Sequence, residues 1–222
     1  MRFIIILLFS LFLISPVFSE ELHSQYLHLQ STHSGGSGTH IGNGFVITAA
    51  HVPLVQGGPR EIKKQIAIPQ LQDIKMVWDS DGAMGEAIPI YIDQENDVAL
   101  LKITGYEQLK SSKIACDDDP KVHDVLTTSS FPMNLGRIED QGRVIGPVVK
   151  REGWAYETFL LNMNVVPGQS GGALVNKDGD IVGLIDAFPM ISSTFGAPSL
   201  AIAIPGSLVC KSLLKYEGFK EN

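Results

Sequence analysis

Short apolar segments rich in β-branched residues recur along most of the chain, and clusters of Gly, Asn, Asp and Ser separate them. Segments of this kind predict strands joined by turns. The only stretch with a credible helical pattern is short and lies near the C-terminus, at about 207–216. We therefore predict an all-β fold built from barrels or sandwiches, closed by this one short helix.

A polar stretch at 106–120 divides the strand pattern into two halves and ends in three aspartates and a proline. This composition suits a solvated connection between two modules, which we place at about 25–105 and about 120–205. Six candidate strands fall in each half. They are 25–30, 40–48, 64–68, 74–78, 86–92 and 98–103, and then 122–128, 142–149, 157–162, 172–176, 181–187 and 200–204.

The first nineteen residues differ in composition from all that follows. A basic start precedes an almost wholly apolar run at 3–18. This pattern predicts a signal peptide at 1–19, cleaved after Ser19, where small residues occupy the positions that signal peptidase reads. The mature chain, 20–222, would then be secreted or periplasmic, with no stable membrane insertion. An uncleaved anchor is the alternative, but two serines and a proline interrupt the run, which is short for a span of about 20 residues.

The charge of the chain excludes one class of partner. The formal net charge is −7, and no basic block occurs anywhere in the sequence. Nucleic-acid binding needs clustered Lys and Arg, so we expect no nucleic-acid partner. Most histidines are scattered among polar residues with no metal-binding spacing, and for these we expect surface or structural roles, with no metal and no other cofactor. These histidines are His23, His28, His33, His40 and His123.

Cys116 and Cys210 are the only cysteines. An exported chain with an even number of cysteines could join them in one disulfide. Their sequence positions give no evidence that they meet, so we expect two free thiols and keep the disulfide as the alternative.

A serine flanked by glycines stands directly before a predicted strand, in the segment 166–175. Gly168 has no Cβ and can turn its backbone N–H toward the space in front of Ser170. The amides of Gly168 and Ser170 could then bind a developing oxyanion together. Gly171 and Gly172 would let neighbouring backbone pass closely. This pattern predicts Ser170 as a nucleophile, although glycine-rich turns that contain serine also occur in ordinary loops.

A serine hydroxyl needs a base within hydrogen-bond reach to become a nucleophile. His51 is the candidate, because an apolar strand at 45–48 leads into two alanines that allow a tight loop directly before it. The remaining histidines lack this setting.

The base needs a carboxylate that fixes its tautomer and stabilises the imidazolium. Asp97 begins the apolar segment 97–103, where an unpaired charge would be costly to bury. Asp93 and Glu95 are its nearest competitors, and many aspartates before strands only form turns.

These residues follow one another in the order His51, Asp97, Ser170. Chymotrypsin-type barrels use this order, whereas α/β-hydrolases and subtilisins use others. The three residues lie in the segments 36–52, 96–103 and 167–174. Together these segments resemble the protease domain of the HtrA/Deg group of trypsin-like serine proteases, and the resemblance extends over about 33–212.

This resemblance implies two perpendicular six-stranded antiparallel β-barrels, with the catalytic triad in the cleft between them. It also implies a serine endopeptidase that hydrolyses peptide bonds in proteins or peptides through an acyl-enzyme. Because the chain stops at Asn222, we expect the protease domain only, without a peptide-binding PDZ module. Digestive relatives carry an aspartate before the nucleophile that pairs with a newly cleaved N-terminus. Gln169 stands there in this chain, so we expect direct folding into a competent form.

The resemblance also suggests which residues line the primary substrate pocket. They are Asn164, Val165, Val166, Ile185, Asp186 and Ala187. Asn164 replaces the aspartate that selects Lys or Arg, so we expect a small or medium apolar side chain, while Asp186 near the rim could tolerate a basic one. The alternative to an enzyme is a catalytically silent domain of the same fold that binds proteins.

Overall fold

The computed structural model describes residues 24–31, 34–54, 76–187 and 200–218. Within them, the first half of the chain forms a closed barrel of six antiparallel strands. Hydrogen bonds join the strands in the order β1-β2-β3-β6-β5-β4, and β4 pairs with β1 to close the barrel. The strands are β1 (Tyr26–Gln30), β2 (Gly35–Gly42), β3 (Phe45–Ala49), β4 (Met76–Ser80), β5 (Ala83–Asp93) and β6 (Val98–Ile103).

The second half forms another closed barrel of six antiparallel strands, in the order β10-β11-β12-β9-β8-β7, with β7 paired to β10. Its strands are β7 (Val125–Ser130), β8 (Ile138–Lys150), β9 (Glu157–Asn162), β10 (Ala173–Val175), β11 (Ile181–Ala187) and β12 (Ala201–Pro205). In the described ranges, two short α-helices accompany the barrels, α1 (His51–Leu54) and the C-terminal α2 (Gly206–Leu213), together with one 3-10 turn at Pro132–Asn134. The predicted all-β class, the two six-stranded barrels and the short C-terminal helix are confirmed.

One predicted strand is a hairpin. The segment 40–48 contributes to both β2 and β3, because the backbone reverses at Gly42, Asn43 and Gly44, which have φ values of 105°, 52° and 68°. Positive φ is accessible to Gly and tolerated by Asn, so this glycine-bracketed asparagine makes the turn. The predicted strand at 64–68 lies outside the described residues.

An apolar cluster joins the two barrels. It includes Ile47 of β3 and Leu100 of β6 from the first barrel, and Leu184 of β11 and Ile204 of β12 from the second, all fully buried. Removing this surface from water stabilises the contact between the barrels. The cluster therefore holds the ends of β3 and β6 beside β11.

The expectation of two free thiols is wrong, because Cys116 and Cys210 form a disulfide with their Cα atoms 5.6 Å apart. Cys116 lies in the connection between the barrels and Cys210 lies in α2. Helix α2 lies against that connection. There the Asp119 carboxylate accepts hydrogen bonds from the backbone N–H and the hydroxyl of Ser207, at 3.2 and 2.8 Å. Asp119 thus caps the helix from a distant part of the chain. No helix among the residues described above is long and apolar enough to span a bilayer.

The disulfide closes a loop of 94 residues. A cross-link that closes a loop of this length lowers the chain entropy of the unfolded state and so stabilises the fold. Replacing both cysteines by serine is expected to lower the free energy of unfolding by about 4 to 5 kcal/mol. Chemical denaturation with and without reductant measures the difference. The double variant is the control, because its unfolding midpoint should no longer respond to reductant. An oxidised wild-type protein whose midpoint is unchanged by reductant would contradict the expectation.

Candidate active site

The loop that carries Ser170 lies between β9 and β10 and is fixed on both sides. Buried Gln169 donates a hydrogen bond from its amide to Ser130 Oγ at 3.0 Å and accepts one from Val166 N at 2.8 Å. The backbone N–H of Ser37, in β2, donates to the Ser170 carbonyl at 2.8 Å. The loop is therefore attached to both barrels, and internal hydrogen bonds of Gln169 stand where digestive relatives use an ion pair.

Two glycines in this loop have conformations that other residues rarely adopt. Gly168 has a φ of 96°, and a Cβ there would lie 2.5 Å from the Phe131 carbonyl oxygen. Gly171 has a φ of 81°, and a Cβ there would overlap Thr48 Oγ1. Both positions require glycine for conformation and for space.

The backbone amides of the loop differ in their partners. Within the described part of the chain, Gln169, Gly171 and Gly172 donate to the carbonyls of Val166, Ile185 and Gln169, whereas Gly168 and Ser170 donate to no protein acceptor. Gly168 and Ser170 are half-buried and flank one residue, so their two unpaired N–H groups can donate hydrogen bonds to the same ligand oxygen. The two amides are those predicted from the sequence.

His51 and Asp97 are brought together by strand pairing. β3 and β6 are antiparallel, and Ala49 lies opposite Val98. The residue before β6 therefore meets the first turn after β3. Asp97 Oδ2 accepts a hydrogen bond from His51 Nδ1 at 2.8 Å, and Asp97 Oδ1 accepts one from the His51 backbone N–H at 2.9 Å.

This contact fixes the histidine tautomer. With Nδ1–H donating to Asp97, Nε2 is the nitrogen left to accept a proton. Asp97 has a φ of 53°, in the left-handed region that Asp tolerates better than most residues. Burial alone lowers the pKa of His51, but the hydrogen bond and charge of Asp97, with a smaller contribution from the charge of Asp186, outweigh it and raise the pKa above its ordinary value.

A second carboxyl, that of Asp186, lies in the same cluster. Asp186 is the second-last residue of β11 and is only 4% exposed. Its Oδ1 lies 4.0 Å from His51 Nδ1. The Tyr156 hydroxyl donates to Asp186 Oδ2 at 2.7 Å. One polar atom from each of His51, Asp97 and Asp186 lies within 4.8 Å of the other two. We interpret these three as hydrogen-bonding partners rather than metal ligands.

Burial and the nearby charge of Asp97 raise the pKa of Asp186 to about 7, against the opposing effects of the Tyr156 hydrogen bond and the His51 charge. The sequence suggested a place for Asp186 near the rim of the substrate pocket. Its carboxyl is instead buried against His51 and Tyr156. The sequence pattern that identified Asp97 could also have identified Asp186 as a site residue. In both cases an acidic residue lies at one end of an apolar strand.

The Ser170 hydroxyl donates its hydrogen bond to the backbone carbonyl of Asp186 at 3.0 Å. Among the described residues, no hydrogen bond joins Ser170 to His51, which was the contact that the sequence predicted. Hydrogen bonds between nucleophile and base are often absent without substrate and form in the complex. Asp186 thus contacts both residues, through its side chain at His51 and through its carbonyl at Ser170.

The competing residues lie elsewhere. The Asp93 carboxylate accepts hydrogen bonds from Ser212 Oγ and, at 2.8 Å, from Lys215 Nζ, and Glu95 is exposed. His28 is buried and stacks on Phe131, while His40 is buried and bonded to the Lys110 carbonyl. His123 is exposed, and His23 and His33 lie outside the described residues.

Of the six predicted pocket residues, Asn164 is exposed, Val166 is half-buried, and Val165, Ile185 and Asp186 are buried. The chain that follows Ala187, from 188 to 199, lies outside the described residues. The pocket therefore stays a prediction.

Comparison with known proteins agrees with this geometry. A family model described as a trypsin-like peptidase domain matches residues 36–184. The chain therefore belongs to the trypsin-like peptidase family. The relatives that it matches are named as DegP-like and HtrA-type proteases, in agreement with the resemblance of its sequence motifs to the HtrA/Deg group.

Two curated relatives and one solved structure illustrate the similarity. A probable periplasmic DegP-like serine endoprotease from Buchnera aphidicola is 28% identical over 199 residues, covering 86% of this chain and 38% of the relative. Periplasmic serine endoprotease DegP of Escherichia coli is 31% identical over 134 residues, covering 59% and 27%. The structure of the HtrA-type protease AlgW with a tripeptide superposes with a TM-score of 0.69 at 22% identity, covering 88% of this chain and 60% of that one. This chain thus spans between a quarter and two-fifths of the length of these two curated relatives.

Proposed function

We propose that this chain is a serine endopeptidase domain that hydrolyses peptide bonds through Ser170, His51 and Asp97. The observation that carries the proposal is the combination of the His51–Asp97 hydrogen bond at 2.8 Å with unpaired amides at Gly168 and Ser170. A nucleophile, an oriented base and an oxyanion site are the parts that acyl transfer needs.

The chemistry would proceed in two halves. The Ser170 hydroxyl leaves the Asp186 carbonyl, gives its proton to His51 Nε2 and attacks the substrate carbonyl carbon. The amides of Gly168 and Ser170 bind the oxyanion, and His51 returns the proton to the leaving amine as the acyl-enzyme forms. Water then attacks the acyl carbon with His51 again as base, releasing the acid and restoring Ser170. Every proton is carried by His51, so the scheme uses no cofactor.

The substrates would be proteins or peptides. Residues 164–166 and 185–187 remain the candidate pocket, and a small or medium apolar side chain remains the expected preference. The relatives are named as periplasmic, which supports export of this chain through a signal peptide at 1–19, cleaved after Ser19.

A catalytically silent, protein-binding domain is the second candidate. The hydrogen bond of Ser170 with the Asp186 carbonyl, in place of one with His51, is the observation that favours it. A fluorophosphonate separates the two candidates, because it reacts covalently with an activated serine and not with an ordinary one.

We expect a fluorophosphonate to label the chain with one equivalent, located at Ser170 by peptide mass spectrometry. The matched control is the exposed serine of the connection, Ser111, whose replacement by alanine should leave labelling unchanged. A folded protein that is not labelled would contradict an activated Ser170 and favour the silent alternative.

The labelling rate is expected to depend on pH through His51. The imidazole must be neutral to accept the serine proton, and Asp97 raises its pKa. The rate should therefore rise with pH to a plateau, with its midpoint above the ordinary value of about 6.5. A series of rate constants between about pH 5 and pH 9 measures the midpoint. A rate that is greatest near pH 4 would contradict the role of His51 as base.

A further inference from the structure

Asp186 brings a second carboxyl into the site, although the proposed chemistry needs only the carboxylate of Asp97. Its Oδ2 is occupied by the Tyr156 hydroxyl at 2.7 Å, so its Oδ1 is the atom that faces His51, 4.0 Å from Nδ1. The Asp97 carboxyl lies within the same 4.8 Å cluster. Residue 186 is 4% exposed, and little water reaches this oxygen.

The cluster contains too little positive charge for two carboxylates. The titratable groups that face Asp186 are His51 at the start of α1, Asp97 before β6 and Tyr156 before β9. In the described parts of the chain, no lysine or arginine forms an ion pair with Asp97 or Asp186. Two neighbouring carboxylates in a buried place do not both ionise unless cations compensate them, and one proton is then shared between them.

The hydrogen bonds indicate which carboxyl holds that proton. Asp97 accepts two hydrogen bonds from His51, and these favour its charged form. Asp186 accepts one, from Tyr156, and is the more buried of the two side chains. A proton on Asp186 Oδ1 can be donated toward Asp97, whereas a proton on Asp97 would compete with His51.

Resting on the proposed function, we propose that Asp186 is a protonated carboxylic acid that donates a hydrogen bond to Asp97 and so acts as a positioning residue for the His51 base. Tyr156 holds the acid in place. Asp97 then has three donors, two from His51 and one from Asp186. Deprotonation of Asp186 adds a negative charge beside His51, so the two groups titrate as a coupled pair in two steps.

The test compares Asp186→Asn with Asp186→Ala. Asparagine keeps an oxygen for Tyr156 and always presents a donor to Asp97, so it mimics the protonated acid without the second charge. In the asparagine variant we expect His51 to titrate in a single step, with a midpoint at least about half a pH unit lower. Alanine removes the donor, and we expect it to lower kcat by about tenfold or more, a loss that asparagine largely avoids.

The His51 midpoint is measured by NMR of the imidazole in Ser170→Ala protein, with and without Asp186→Asn, so that this readout needs no catalysis. The exposed Asp178→Asn is the matched control for loss of one carboxylate and should leave the midpoint unchanged. Carbon-13 labelling of aspartate reports the charge of Asp186 directly. A His51 midpoint that Asp186→Asn does not move, or an Asp186 carboxyl already ionised near pH 5, would overturn the proposal.

Thermal unfolding gives a second measurement with a defined sign. A carboxyl whose pKa is raised in the folded state adds stability that is complete below its ordinary pKa and is lost as pH rises through the raised value. Between about pH 4 and pH 8, the wild-type protein should therefore lose stability relative to Asp186→Asn. A difference between the two proteins that stays constant with pH would count against a protonated Asp186.

Failure of this inference is distinguishable from failure of the proposed function. If Ser170 is not labelled but the His51 midpoint moves as expected, the shared proton exists in a silent site. If Ser170 is labelled and the midpoint does not move, the endopeptidase stands and Asp186 has no role in it.

Discussion

Ser170→Ala is expected to lower the rate of peptide hydrolysis by a factor on the order of 10⁶ while leaving the fold intact. The loss is large because the residual rate would come from the oxyanion site and substrate binding alone. The hydroxyl makes one hydrogen bond, to the Asp186 carbonyl, so its removal changes little else. Turnover of a fluorogenic peptide measures the rate, and unfolding curves measure stability.

Two controls make this result specific. Ser111→Ala removes an exposed hydroxyl and should retain full turnover. Ser170→Ala protein that is expressed and purified in parallel with the wild type shows how much of the measured turnover comes from a contaminating protease. If Ser170→Ala retained wild-type turnover with a wild-type unfolding curve, the nucleophile would have to be another residue.

Asp97→Asn is expected to lower kcat by about 10⁴-fold. The asparagine oxygen can still accept the His51 backbone N–H, as Asp97 Oδ1 does at 2.9 Å, so the loop should keep its shape. The amide nitrogen would then face His51 Nδ1, where Oδ2 now lies at 2.8 Å, and would select the wrong tautomer. The His51 pKa should also fall, since Asp97 provides the hydrogen bond and charge that outweigh burial.

Asp93→Asn is the matched control, because Asp93 is a buried carboxylate only four residues from Asp97. The substitution weakens its hydrogen bonds to Ser212 and Lys215, so we expect lower stability. The asparagine oxygen can still accept the backbone N–H groups of Glu95 and Asn96 and keep the turn before Asp97, so we expect a nearly unchanged kcat. A larger loss of kcat for Asp93→Asn than for Asp97→Asn would reverse the assignment of the two residues.

The strands that the sequence predicted best are those whose ends are marked by turn residues. The bounds of β6, β9 and β11 coincide with the predicted segments. The hairpin between β2 and β3 was missed because β2 consists largely of small and polar residues, which lack the apolar alternation of a strand. Its burial depends on contacts with other parts of the barrel, and these are invisible in a local pattern.

For the site, the sequence could identify groups but not their contacts. Residue order and strand context brought His51 and Asp97 together correctly, because adjacent antiparallel strands fix the distance between their ends. No comparable rule connects Asp186, in β11, with Tyr156, which directly precedes β9. The disulfide was missed for the same reason, since nothing local relates residues 94 positions apart.

The C-terminal helix and the residues directly after it support the proposed active site, although they are far from Asp97 along the chain. Asp93, which Lys215 and Ser212 hold, also accepts the backbone N–H groups of Glu95 and Asn96 at 3.1 and 3.3 Å, and so shapes the turn that presents Asp97. The position of the proposed catalytic carboxylate therefore depends on Ser212 and Lys215, which lie outside the family-matched segment 36–184. A minimal domain trimmed to that segment would keep all three proposed catalytic side chains and lose the support beneath one of them.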